Sequence, residues 1–131
     1  MIKKSAFRKI RFDENIEGYG YEDVLFIQYA RKKNIQISQI DNVVIRTEID
    51  ENLIFLLKTK EALNNLLNLK KRGVIDEEKI KILRVFKIIN SFKLSPLLGF
   101  IYVNMHNFLE FNLKGNHPRL FIFDFYKLAY Y

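Results

Sequence analysis

The chain has 131 residues, enough to bury one hydrophobic core and too few for a multidomain assembly. Apolar residues make up 49% and charged ones 28%, with five glycines and two prolines, which excludes a disordered or collagen-like chain. There is no cysteine, so disulfides, thiolate metal sites and cysteine nucleophiles are excluded, and any chemistry rests on oxygen and nitrogen groups.

Twenty-two Lys and Arg against fifteen Asp and Glu give a net charge of +7, which favours an anionic partner such as nucleic acid, an acidic membrane leaflet or a phosphorylated substrate. The excess is spread evenly: residues 1–72 carry fourteen bases and ten acids, residues 73–131 eight and five. The tightest runs, Arg31-Lys32-Lys33 and Lys70-Lys71-Arg72, fall where helices are expected to end. Cations there complement the helix dipole, and a binding patch is the alternative reading.

The opening Met1-Ile2-Lys3-Lys4-Ser5 is basic but leads into no long apolar stretch, so it does not read as a secretory signal. Phe12-Asp13-Glu14 runs into Gly18-Tyr19-Gly20-Tyr21, a loop whose glycines reach backbone angles closed to other residues. A helix is expected over residues 22–33, with Val24, Leu25, Ile27 and Ala30 on its apolar face, two acids in its first turn and three bases in its last; Asn34 stops it. Two short strands are expected next, at residues 35–40 and at Val43-Val44-Ile45 after the Asp41-Asn42 turn. Neither stands without a sheet to join.

Beyond Asp50 the pattern is helical. Asp50 is the expected cap of a helix whose Leu53, Leu56, Leu57, Leu63, Leu66, Leu67 and Lys70 follow three-and-four spacing up to Gly73. Asp76 opens the next, with Leu83, Phe86 and Ile89 as its stripe, and Ser95-Pro96 starts a third that ends at Gly115. Residues 94–113 are the most apolar stretch, yet Asn104, His106, Asn107 and Glu110 make them too polar to span a bilayer. After Pro118 a final aromatic segment follows; its spacing suits an amphipathic helix, while the alternation of Phe121, Phe123 and Phe125 also suits a strand. These aromatics, with Tyr126, read as core or partner contact before membrane contact. The expected class is α+β and mostly helical: a short α/β segment over residues 1–49, then a three- to four-helix extension over residues 50–131.

The densest chemical constellation is Gly18-Tyr19-Gly20-Tyr21-Glu22-Asp23. A carboxylate at a helix start sits where the dipole favours negative charge and can take a proton from a hydroxyl within reach, while tyrosines stack on a sugar ring. The competing reading is that Glu22 and Asp23 only cap the helix. His106 and His117 lie eleven apart with no carboxylate at ligand spacing and receive no role, and no Walker or dinucleotide loop is present.

Lys3-Lys4-Ser5-Ala6-Phe7-Arg8-Lys9-Ile10, Phe12-Asp13-Glu14, Gly18-Tyr19-Gly20-Tyr21-Glu22-Asp23 and Ile40-Asp41-Asn42-Val43-Val44, in this order, resemble the C-terminal part of family 2 glycosyltransferases with the GT-A fold. A related Gly-Glu-Asp signature occurs in the galactosyltransferase C-terminal domain. More loosely, residues 52–71 and 123–128 resemble the helical extension of bacterial members. The resemblance implies inverting sugar transfer from a nucleotide-sugar donor to a saccharide acceptor, with Asp23 as catalytic base and Glu22, Tyr19, Tyr21 and Gly20 on the acceptor side. Arg46, where many relatives carry a histidine, implies pairing with phosphate.

The family's Asp-x-Asp metal motif and its Mg or Mn ion belong to a donor half expected ahead of residue 1; Glu48-Ile49-Asp50 is the nearest spelling here and reads as helix capping. The chain is accordingly expected to be a cytoplasmic fragment, inactive alone, without metal or nucleic acid, and compatible with peripheral association at the inner face of the membrane. The alternative is a small basic helical protein that binds an anionic membrane surface or nucleic acid. In the first case Glu22 and Asp23 share a concavity with Tyr19 or Tyr21; in the second they point into solvent.

Overall fold

In the computed structural model, residues 4–131 are described except for 39, 42, 44 and 46–49. Helices are α1 (Lys4–Phe7), α2 (Glu22–Lys32), α3 (Asn52–Lys71), α4 (Lys81–Ser91), α5 (Ser95–Lys114) and α6 (Leu120–Tyr130), with a 3-10 turn at Glu77–Lys79. Among the described residues there is no strand, which corrects the expected α/β segment: the fold is all-helical. Ile37, Ile40, Val43 and Ile45 are exposed, Val43 to 90% and Ile45 to 80%. β-Branched residues there express a preference that only a neighbouring strand can satisfy, and none is offered. The tail resolves toward a helix over Leu120–Tyr130.

Helix ends follow a common device. The helices α2, α3 and α4 each stop at a residue with positive φ, Asn34 at 53°, Gly73 at 65° and Lys93 at 57°. In each, the next amide returns to a carbonyl five residues back: Ile35 N to Ala30 O, Val74 N to Leu69 O and Leu94 N to Ile89 O, at 2.9, 3.3 and 3.1 Å. These are Schellman closures, and Asn and Gly are the residues that adopt the left-handed angle most readily. Starts are less regular. Asp50 does not cap α3; both its carboxylate oxygens accept from Lys58 Nζ, at 2.8 and 3.0 Å. The helix expected from Asp76 is broken: a 3-10 turn comes first, and α4 starts only after Ile80 adopts an extended conformation.

The longest helices are α3 and α5, twenty residues each, and α3 is the spine that the others share. Its C-terminal half sets Leu66 and Leu69 against Leu25 of α2, Ile75 and Ile80 of the α3–α4 connection and Leu83 of α4, forming one buried cluster. Its N-terminal half sets Leu56 against Leu109 and Leu113 of α5 and Tyr126 of α6, forming a second. A third, Ile10 with Phe26 and Ala30, holds the N-terminal segment on α2, where the Phe12 and Phe26 rings stack at 4.5 Å. The buried stripe of α3 is therefore Leu56, Leu63, Leu66 and Leu69, whereas Leu53 and Leu57 are exposed. On α2, Leu25, Phe26, Gln28 and Ala30 are buried and Ile27 is not.

Two polar sites reinforce these clusters, one in each half. Gln28, only 4% exposed, spends its side-chain amide on one backbone unit of the α3–α4 connection. Its Oε1 accepts from Asp76 N at 2.7 Å and its Nε2 donates to Asp76 O at 3.4 Å. In the other half, Glu110 of α5 collects three donors: Lys60 of α3 at 2.7 Å, Lys114 of its own helix at 2.7 Å and the Tyr126 hydroxyl of α6 at 3.1 Å. Burial opposes ionisation of Glu110, but the bonds from Lys114, Lys60 and Tyr126 outweigh it and hold the carboxyl down at about 2 against an ordinary 4.5. The Tyr126 hydroxyl is pushed far above the usual tyrosine range by its burial, then by Tyr102 and Glu110.

Because the Glu110 carboxyl is depressed in the folded state, its contribution is complete above its unfolded value near 4.5 and is lost as pH falls toward 2. Its side chain is 12% exposed but its lysine partners reach solvent, so the loss is expected to be about 1–2 kcal/mol after screening. Glu110→Gln should flatten stability over this acid range in urea titrations at stepped pH; an unchanged acid limb would rule the network out as its source. Lys93 holds a left-handed angle without glycine's freedom, so Lys93→Gly should raise stability by about 1 kcal/mol, read as a melting temperature several degrees higher.

Candidate functional site

The segment before α2 is built onto α3. Asp13 accepts from Asn15 N and Nδ2 at 3.0 and 2.8 Å and from Arg72 Nη2 at 2.7 Å, so the Phe-Asp-Glu motif ties the segment to the end of α3. Burial works against the Asp13 charge, yet those Asn15 and Arg72 bonds lower its carboxyl below the ordinary range. Further along, Asn65 Nδ2 donates to both Glu17 O and Tyr19 O at 3.0 Å, pinning the glycine loop. Gly20 has φ of 104°, and a Cβ there would stand 2.5 Å from Ala62 Cβ; Gly18, with φ of 78°, lies against the Glu61 carboxylate. Both glycines are required twice, by angle and by closeness to α3.

The loop delivers Tyr21 in a left-handed conformation, φ 71°, as the residue before α2, with no side-chain cap. Its ring turns inward onto the Leu25 cluster and borders a cavity of about 410 Å³ with Leu63, Lys81 and Lys127. Burial, then Tyr131, pushes its hydroxyl up. Tyr19 is exposed, with Lys58 Nζ 5.6 Å from its ring centroid. Glu22 is half-buried, and its Oε2 has no hydrogen-bond partner among the described residues. Asp23 is exposed, and its Oδ1 accepts from Val24 N at 2.7 Å. Neither acid serves as the helix cap, since both lie inside the first turn.

The six residues singled out in the sequence are thus partly assembled. Tyr19, Gly20, Tyr21, Glu22 and Asp23 are contiguous and fixed on α3, whereas Arg46 falls outside the described residues. Glu22 and Asp23 border neither this cavity nor a second, more polar one of about 560 Å³ under residues 15–17, lined by Asn65, Asn68, Lys71 and Arg72. The reason is geometric: the loop turns Tyr21 inward and Asp23 outward at consecutive positions of the opening turn.

Among the described residues no group of three or more His, Asp or Glu side chains is placed to hold a metal ion. His106 stacks on Tyr102 at 5.6 Å and bonds Val103 O through Nδ1, which accounts for it structurally. Sequence reasoning missed Asn65 and Gln28. Their only signal is a polar residue at the spacing of a buried stripe, between Leu63 and Leu66 and three after Leu25.

No family model, no curated protein and no solved structure matches this chain. Gly20→Ala is expected to cost roughly 2 kcal/mol or more, because the new methyl meets Ala62 and the angle disfavours any side chain. Chemical denaturation measures it; a wild-type midpoint would show that the loop does not need that fit.

Proposed function

We propose that the chain is the acceptor-side portion of an inverting nucleotide-sugar glycosyltransferase, completed by a donor-binding half that supplies the opposing wall. The carrying observation is the rigid placement of the Gly18–Asp23 loop, which Gly20 and Asn65 hold against α3; Asp23 itself is exposed in the first turn of α2, and the concavity this reading requires is assigned to the donor-binding half. A base must keep one oxygen free for a substrate proton. With Oδ1 engaged by the Val24 amide, Oδ2 has no protein donor among the described residues.

In this reading Asp23 takes the proton of an acceptor hydroxyl as that oxygen attacks the anomeric carbon, opposite the departing nucleoside diphosphate. Glu22 is assigned to hold the acceptor by a hydrogen bond through the family resemblance alone; its Oε2 is buried in this structure and has no partner among the described residues. The exposed Tyr19 ring offers an apolar platform for a sugar face, and Tyr21 shapes the loop from within. Arg46 is assigned to the leaving phosphate through the family resemblance alone. The same reading sets the enzyme in the cytoplasm, at or near the inner face of a membrane; no described helix is long and apolar enough to cross one.

Asp23→Asn in the complete enzyme should lower the transfer rate by roughly 10²–10⁴-fold while leaving nucleotide-sugar binding intact. Initial rates with isothermal titration of the donor decide it, and unaltered turnover removes Asp23 from the base role. Glu22→Gln should act mainly on acceptor KM.

A further inference from the structure

One helix has two apolar faces, and the bundle covers only one. Leu109 and Leu113 of α5 are buried against α3 and α6, with Tyr102 packed beside them. On the other side Leu97, Phe100, Val103, Phe108 and Phe111 are between 53% and 80% exposed. This ridge is about 20 Å long at 1.5 Å per residue, far more than scattered surface apolars produce. Two exposed asparagines interrupt the ridge, Asn104, whose Nδ2 turns back to Phe100 O at 2.7 Å, and Asn107, while Glu110 is spent in the lysine–tyrosine network. From Leu94 to Leu109 there is no Asp, Glu, Lys or Arg.

Charge selects the occupant. Lys93 stands two residues before the helix and Arg119 five residues after it, at the start of α6, both exposed and without an ion pair among the described residues, and Lys114, paired with Glu110, closes its last turn. We propose that the outer face of α5 lies flat on an anionic lipid bilayer, its phenylalanine ridge in the acyl boundary and its terminal cations on the headgroups. This is the geometry of an interfacial helix, apolar along one side with cations at headgroup level. A second copy of the chain is a poor occupant, since pairing α5 with itself, in either direction, sets Lys93 and Arg119 against cations with no acid on the ridge to offset them. Nucleic acid is a poor one too, because its phosphates need cations along the contact rather than at its two ends. The inference stands independently of the sugar-transfer reading.

The test is co-sedimentation of the chain with vesicles of phosphatidylcholine alone or with about 30% phosphatidylglycerol, in low and high salt. Binding should be at least roughly tenfold tighter to the anionic vesicles, and the difference should shrink in high salt. Phe100→Gln with Phe111→Gln should lower that binding at least roughly tenfold with unchanged circular dichroism, both side chains being exposed. Lys93→Gln with Arg119→Gln should remove the anionic preference and keep residual binding to neutral vesicles. Equal binding by wild type and the double phenylalanine variant overturns the proposal. So does absence of vesicle binding, or a dimer in sedimentation velocity that the phenylalanine variant dissolves while vesicles capture nothing.

Discussion

A buried amide, that of Gln28, locks the helix that carries the candidate chemistry onto the connection that follows α3. Gln28 on α2 reads both backbone groups of Asp76, and between those two contacts lie all of α3 and the turn after it. An unmatched peptide N–H in the interior costs on the order of 1–3 kcal/mol, so replacement of Gln28 by an apolar residue of similar size would leave Asp76 stranded. The amide also fixes rotation: Leu25 and Gln28 share one face of α2, so when that face is locked on α3, Glu22 and Asp23 are set at the opening turn. Orientation of the carboxylates follows from packing 48 residues away in sequence.

Glu110 plays the corresponding part at the other end, but with charge. A carboxylate among leucines is costly alone; three donors from three helices make it tolerable and at the same time specify how α3, α5 and α6 meet. Tyr126 is the link between apolar and polar organisation there, its ring wholly buried in the Leu56 cluster and its hydroxyl on Glu110. At the other half of α3 the chemistry-bearing loop is held by the Asn65 amide together with the Arg72–Asp13 ion pair.

The loop illustrates how function and fold compete for the same residues. Gly18 and Gly20 are read in sequence as freedom, but in the structure they are proximity: each lets the backbone lie against Glu61 or Ala62 on α3. Tyr21, by contrast, accepts a left-handed angle with a full side chain, a local cost that the burial of its ring against Leu25 and its neighbours offsets. Rigid support of this kind is what a proton-accepting group needs, because misplacement by about 1 Å costs far more in rate than the loop costs in stability.

What the sequence determined by itself was local. Dipole-matched charges placed α2 at residues 22–33 against the observed Glu22–Lys32, and Asn34 and Gly73 stopped their helices, because stops act within one turn; Ser95-Pro96 and Gly115 marked the bounds of α5, although Ser95 lies inside the helix and gives its hydroxyl to Asn90 Oδ1 instead of capping it. The strands expected at residues 35–40 and 43–45 were not found among the described residues, since strand preference is satisfied only by a partner that lies elsewhere. Asp50 turned from the expected cap to Lys58 for the same kind of reason, a long side chain having reached it first. Tertiary packing alone decided that Leu69 and not Lys70 closes the stripe of α3, that Gln28 and Glu110 face inward, and that Tyr21 points in while Asp23 points out. Periodicity names a face within about a quarter turn, and only contact with a second helix chooses which residues at its edge are covered.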